Sequence, residues 1–179
     1  MPPDVTTPPL TVLTQRGGRL QAVLQAHGGL RALRCEGLQV NLFAASALEA
    51  GPANLWLRLH GPAGQLDPQP LLGPSAGGWQ TGQGGRVWQQ GRVGAVQYRV
   101  ELVLAADADA WFWHVQLHNQ GRQALRADLV YLQDVALAPW PAIRLNEAYV
   151  SQYLDHLPLQ HAGQGWVLAT RQNAPVEGR

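Results

Sequence analysis

Between Asp128 and His156, in the stretch DLVYLQDVALAPWPAIRLNEAYVSQYLDH, side chains able to do acid–base or hydrogen-bond chemistry crowd together. They are Asp128, Asp134, Arg144, Asn146, Glu147, Tyr149, Gln152, Tyr153, Asp155 and His156. Elsewhere short apolar runs are cut by glycine, and charged residues make up only 14% of the chain. Cleaving a glycosidic bond needs two carboxyl groups roughly 5–9.5 Å apart, one of them with a raised pKa. Asp134, Glu147 and Asp155 could supply such a pair. The simpler account is that they satisfy backbone amides and arginines at strand ends, because a buried carboxylate must be paired. Arg144 stands three residues before Glu147, so an ion pair between them is expected.

Other chemistries find less support. Of the six histidines, only His114 and His118 have a metal-like spacing. On a helix they would share a face and could grip zinc. Alternation makes this segment a strand, which sets them about 13 Å apart at the usual rise, and no metal site is expected. The single cysteine, Cys35, has no partner motif and reads as a small packed residue. No serine sits in a Gly-x-Ser-x-Gly elbow. The glycines at 77–85 lack the lysine–serine pair of a phosphate loop.

These residues must be positioned by strands. LTVLTQRGGRLQAVLQ reads as a hairpin turned at Gly17-Gly18, and LRALRCEGLQVNLF turns again at Glu36-Gly37. NLWLRLHG alternates, with Leu55, Leu57 and Leu59 on one face. VQYRVELVLAAD and AWFWHVQLHNQG pair across Asp107–Asp109, with Trp111 and Trp113 assigned to the core. ALRADLVYLQDVAL and GWVLATRQN are further strands. Short helices are expected in AASALEAG and in part of IRLNEAYVSQYL, and 73–94 reads as an exposed glycine-rich loop or loose hairpin. Residues 1–9 read as a disordered tail. Strands of this spacing make an all-β fold, an antiparallel β-sandwich of two sheets over 10–179. The chain stops straight after a strand, which reads as a sandwich cut short at its C-terminus.

The totals bound the function. A formal charge of +1, carried by thirteen scattered arginines and no lysine, offers no field for nucleic acid. No run nears the roughly 18 apolar residues of a membrane span, and the first residues do not form a secretory signal. One cysteine fits a reducing cytoplasm.

DLVYLQDVALA, IRLNEAYVSQYLDH and GWVLATRQN, together with GGLRALRCEGLQVNLF and GPANLWLRL, resemble the N-terminal β-sandwich region of glycoside hydrolase family ninety-four. The likeness is greatest to 1,2-β-oligoglucan phosphorylases and to the phosphorylase part of cyclic β-1,2-glucan synthases. It runs in order from about Leu10 to Arg179 and implies a large sandwich of the kind common in sugar-active enzymes. Members of that family follow the sandwich with a barrel of paired helices, which holds the catalytic acid and the phosphate site.

No part of that barrel is present, so no catalytic residue is assigned here, and Asp134, Glu147 and Asp155 do not match the family's acid. The resemblance implies an accessory and dimerisation domain, possible homodimers, and a β-glucan oligosaccharide as the parent enzyme's ligand. Inorganic phosphate would be co-substrate, with no metal or organic cofactor. Arg144, Asn146, Glu147, Tyr149, Gln152, Tyr153 and Asp155 would then form a substrate-rim or barrel-docking surface. The alternative is a stand-alone carbohydrate-binding module using Trp79, Trp88 and Trp140 as platforms.

Overall fold

The computed structural model describes residues 10–61, 65–82 and 86–173. The proposed tail, residues 1–9, lies outside them. Among the described residues, fourteen strands and two short helices follow one another as β1 (Thr11–Thr14), β2 (Leu20–Leu24), β3 (Leu30–Cys35), β4 (Leu38–Gln39), β5 (Asn54–His60), β6 (Leu66–Pro70), β7 (Trp79–Thr81), β8 (Val87–Val93), β9 (Val96–Leu104), β10 (Trp111–Asn119), β11 (Arg126–Leu132), β12 (Ala138–Pro139), α1 (Trp140–Leu145), α2 (Glu147–Gln152), β13 (Leu154–His161) and β14 (Gly165–Gln172). Every pairing is antiparallel. The strands form four sheets, ordered β1-β2-β3-β4-β12, β10-β9-β8-β7, β11-β5-β6 and β13-β14.

The four-stranded sheet is one layer of an all-β sandwich. Alternation along β9 turns Val96, Tyr98, Val100 and Leu102 to one buried face. Leu102, with Val87 of β8, packs against Leu20, Ala22, Leu24, Leu30 and Leu33 of the five-stranded sheet. Val96, Tyr98 and Val100 pack against Leu55, Leu57, Leu71 and Leu72 around the three-stranded sheet. The second layer is therefore shared by two sheets on one opposing face. A smaller cluster of Ala136, Ala138, Ile143 and Val150 anchors the α1–α2 corner.

The hairpins read at Gly17-Gly18, Glu36-Gly37 and Asp107–Asp109 are all present. Gly37 takes φ 86°, a left-handed value that suits glycine in a tight hairpin turn. One expectation is corrected. AASALEAG is not helical: Ala45 N donates to Leu30 O at 3.0 Å, while Ser46 Oγ accepts from Leu48 N and Glu49 N at 3.2 and 3.1 Å. Local side-chain bonding of this kind competes with a helix.

Of the two readings of segment 73–94, loop or hairpin, the structure has the hairpin, with β7 paired to β8, although residues 83–85 lie outside the described ones. It supplies β7 and the interior strand β8, with Val87 and Gln89 at 1% and 0% exposure. Gly28 allows this packing, since a Cβ there would lie 2.7 Å from the Trp79 ring. Three strands, β6, β12 and β13, were not expected. Each carries proline, which a sheet tolerates at an edge.

Buried amide side chains are tied to backbone. Asn41, fully buried, accepts from Leu33 N at 2.8 Å and donates to the carbonyls of Arg31 and Phe43 at 3.3 and 2.7 Å. Cys35 ends β3 half-buried against the first core.

Candidate functional site

The polar stretch forms a corner. After β12, Pro141 opens α1 and Asn146 separates α1 from α2; the Asn146 side chain accepts from Tyr149 N at 2.9 Å, capping α2. Ile143 and Val150 turn inward and hold both helices to the sandwich, which sends the polar residues between them outward. Gln172 of β14 fastens the corner from the other side, donating to Ala136 O at 3.0 Å and Val150 O at 2.9 Å.

A cleft of about 640 Å³ opens between this corner and the Leu42–Ala44 segment, lined by Phe43, Trp140, Arg144, Asn146 and Glu147 among others. Arg144 lies over the Trp140 ring, 5.8 Å from its centroid. The expected Arg144–Glu147 ion pair does not form. Both side chains are exposed, and with Gln152 they hold no hydrogen bond or ion pair among the described residues. The guanidinium faces the Trp140 ring instead.

The seven singled-out residues therefore divide. Arg144, Asn146 and Glu147 share the cleft, whereas Tyr149, Gln152, Tyr153 and Asp155 lie outside its lining. Tyr149 and Tyr153 pack ring on ring at 4.8 Å. Asp155 is held by Arg171 across the β13–β14 ribbon at 3.1 Å, and by Asn173. Phe43 and its neighbours, about a hundred residues away in sequence, are the part of the cleft that sequence reasoning missed. Its only signal was an exposed aromatic after a buried run.

Two carboxylates elsewhere, Asp134 and Glu101, are committed. Asp134 Oδ2 accepts from Phe43 N at 2.6 Å, which fixes the cleft wall. Burial pushes its carboxyl above the ordinary carboxylate value, against the lowering effect of that backbone bond. Glu101 is gripped by Arg86 through both oxygens at 2.6 and 2.7 Å, which lowers its pKa. Among the described residues no three His, Cys, Asp or Glu side chains are grouped to hold a metal ion. β10 is a strand, so His114 and His118 alternate on its outward face rather than meeting on a helix.

Two of the three suggested sugar platforms are already covered. Trp79 meets Trp113 edge-on at 6.5 Å inside the sandwich, and Arg99 lies 4.5 Å over the Trp88 ring. Trp140, 38% exposed and beside the cleft, is the most open of the three, although Arg144 lies over its ring. No helix among the described residues is long and apolar enough to cross a membrane, which says nothing of a β-barrel.

The sequence places this antiparallel sandwich in a known family. Residues 23–179 match the model of the SOGP N-terminal domain, and the chain belongs to that family. A curated relative, a 1,2-beta-oligoglucan phosphorylase from Listeria innocua serovar 6a, is 32% identical over 160 residues. That alignment covers 89% of this chain but 14% of the relative, so the chain spans about one-seventh of the relative's length.

Proposed function

We propose that this domain is the N-terminal accessory unit of a cytoplasmic glycoside phosphorylase acting on β-1,2-glucans. One observation carries the reading: nearly the whole chain matches an N-terminal domain family, and a relative named for this activity holds the similar stretch as 14% of its length. In this reading the catalytic acid and the phosphate site lie in a helical barrel of the glycoside hydrolase family ninety-four type, elsewhere in the same polypeptide. Inorganic phosphate is the co-substrate, and neither metal nor organic cofactor takes part. Phosphate oxygen bonds to the anomeric carbon as the glycosidic bond breaks, releasing glucose 1-phosphate and a shortened glucan.

The corner supplies the docking or rim surface. Trp140 offers a ring for an apolar sugar face or a helix, and the unpaired Arg144 and Glu147 offer a donor and an acceptor. The domain also contributes to a homodimer. A stand-alone carbohydrate-binding module is a second reading, favoured by Trp140 alone.

The test incubates β-1,2-glucan oligosaccharides and phosphate with this chain and with a polypeptide that joins it to the remainder of such an enzyme. Glucose 1-phosphate should appear only with the second. Release by the 179-residue chain that vanishes in Glu147→Ala would overturn the accessory role, as would an inactive full-length polypeptide.

A further inference from the structure

The sandwich is only partly closed along one flank, where Trp111 Nε1 donates to Tyr131 Oη at 3.3 Å between the two sheets. β10 is the outermost strand of the four-stranded sheet, and β11 the outermost strand of the three-stranded sheet. The pairings Trp113↔Leu102 and Val115↔Val100 put those β10 side chains on the core-facing side of their sheet. The pairings Leu129↔Leu57 and Tyr131↔Leu55 do the same for β11. In a closed sandwich these residues would be covered. Here they line an apolar groove of about 750 Å³, with Leu129 40% and Tyr131 43% exposed.

The backbone beside the groove is equally open. Exposed sheet edges are normally blunted by short strands, prolines, charges or bulges. Two other outer strands obey this: β1 has four residues, and β6 carries Pro68 and Pro70. β10 runs for nine residues, WFWHVQLHN, with no proline and no Asp, Glu, Lys or Arg, and it pairs β9 without a break in register. An unguarded edge next to an uncovered inner face suits one kind of occupant. That occupant is an extended segment which adds to β10 as the next strand and drops alternate apolar side chains into the groove.

We infer that this flank is completed by a β-strand of the same polypeptide, drawn from the part that the phosphorylase relative has outside the matched stretch. The inference rests on the reading above that the domain belongs to such a longer chain, of which the relative holds the similar stretch as 14%. A tethered strand competes at about millimolar effective concentration, far above that of a free partner.

Amide hydrogen exchange in the full-length polypeptide tests this residue by residue. In an open edge strand, alternate amides have no partner and exchange fast. If a strand is added, the alternate amides between Phe112 and His118 that point away from β9 should exchange roughly a hundred-fold more slowly than in an open edge, so that the whole run matches the rates of β9. Fast alternate amides in β10 would overturn the inference, and if that polypeptide still releases glucose 1-phosphate the proposed function stands without it. Protection of β10 without phosphorolysis supports the added strand and removes the functional reading. Protection that appears in the 179-residue chain alone and grows with concentration would make a second copy the occupant and overturn the inference.

Discussion

Asp128 on β11 lies directly across from Arg58 on β5 and grips its guanidinium with both carboxylate oxygens, at 2.6 and 3.0 Å. His60 Nε2 stands 2.9 Å from the same carboxylate. The residues are 70 apart in sequence, so this cluster marks the non-local pairing that builds the three-stranded sheet. The Arg58 hydrogen bonds, then that of His60, hold the Asp128 carboxyl down at about 2, against an ordinary 3.8. A lowered pKa gives stability that is present above the ordinary value and lost as pH falls through the folded one. Melting temperature should therefore drop between about pH 4 and pH 2, and Asp128→Asn should flatten that drop. Circular dichroism melts across this range check it; an unchanged slope in the variant would remove the role given to Asp128.

Asp134 should behave with the opposite sign. Burial raises its carboxyl, so the charged form is the disfavoured one, and the stability it gives at low pH is lost as pH rises through the raised value. Asp134→Asn keeps an oxygen for Phe43 N and carries no charge. It should melt no lower than the wild type at pH 7, and relatively lower near pH 3. A large loss at pH 7 would mean that the charge itself is needed.

Asn41→Ala should be the most damaging polar substitution. It leaves Leu33 N, Arg31 O and Phe43 O without their side-chain partner in a site at 0% exposure. At about 1–3 kcal/mol per unsatisfied buried group, the cost should reach about 3 kcal/mol or more. Urea unfolding measures it, and a cost below about 1 kcal/mol would mean that water or relaxation replaces these bonds.

The β13–β14 ribbon presents apolar side chains on both faces, with Trp166 at 75%, Leu168 at 62% and Leu157 at 57% exposure. A two-stranded ribbon is marginal alone, and a patch of this kind invites association. The 179-residue chain should self-associate at high concentration, and Trp166→Ser with Leu168→Ser should reduce this while leaving the main melting transition in place. A wild-type chain that sediments as a sharp monomer at all concentrations would contradict it.

Much of the sandwich could be read from local rules. Two-residue alternation in Leu55–Leu59 and Val96–Leu104, and turn residues at Gly18 and Gly37, need only neighbours in sequence to be understood. What escaped depends on distant partners. LDPQP hides a strand because Pro68 and Pro70 sit on the outer strand β6, and Pro158 hides β13 in the same way. The glycines of 73–94 suggested looseness, yet Gly28, far away in sequence, makes the room in which Trp79 packs. At the corner, one short helix was legible from IRLNEAYVSQYL, but not the division into two at Asn146 nor the start of the first at Trp140. The Leu42–Ala44 wall was not, because Asp134 fixes it through a bond spanning 91 residues. Nor could spacing alone reveal that Arg144 turns to Trp140 instead of Glu147.

The central claim is that the exposed corner acts in a larger phosphorolytic enzyme rather than in holding this domain together. The most direct measurement sets phosphorolysis rate beside melting temperature for Arg144→Ala and Glu147→Ala in the full-length polypeptide. Both side chains are exposed and unpaired among the described residues, so stability should change by less than about 0.5 kcal/mol. The expected result is a rate, or a dimer affinity, lower by roughly ten-fold, equivalent to about 1.4 kcal/mol, with melting unchanged. A large fall in melting temperature with a proportionate loss of rate, or no change in either rate or dimer affinity, would contradict the account.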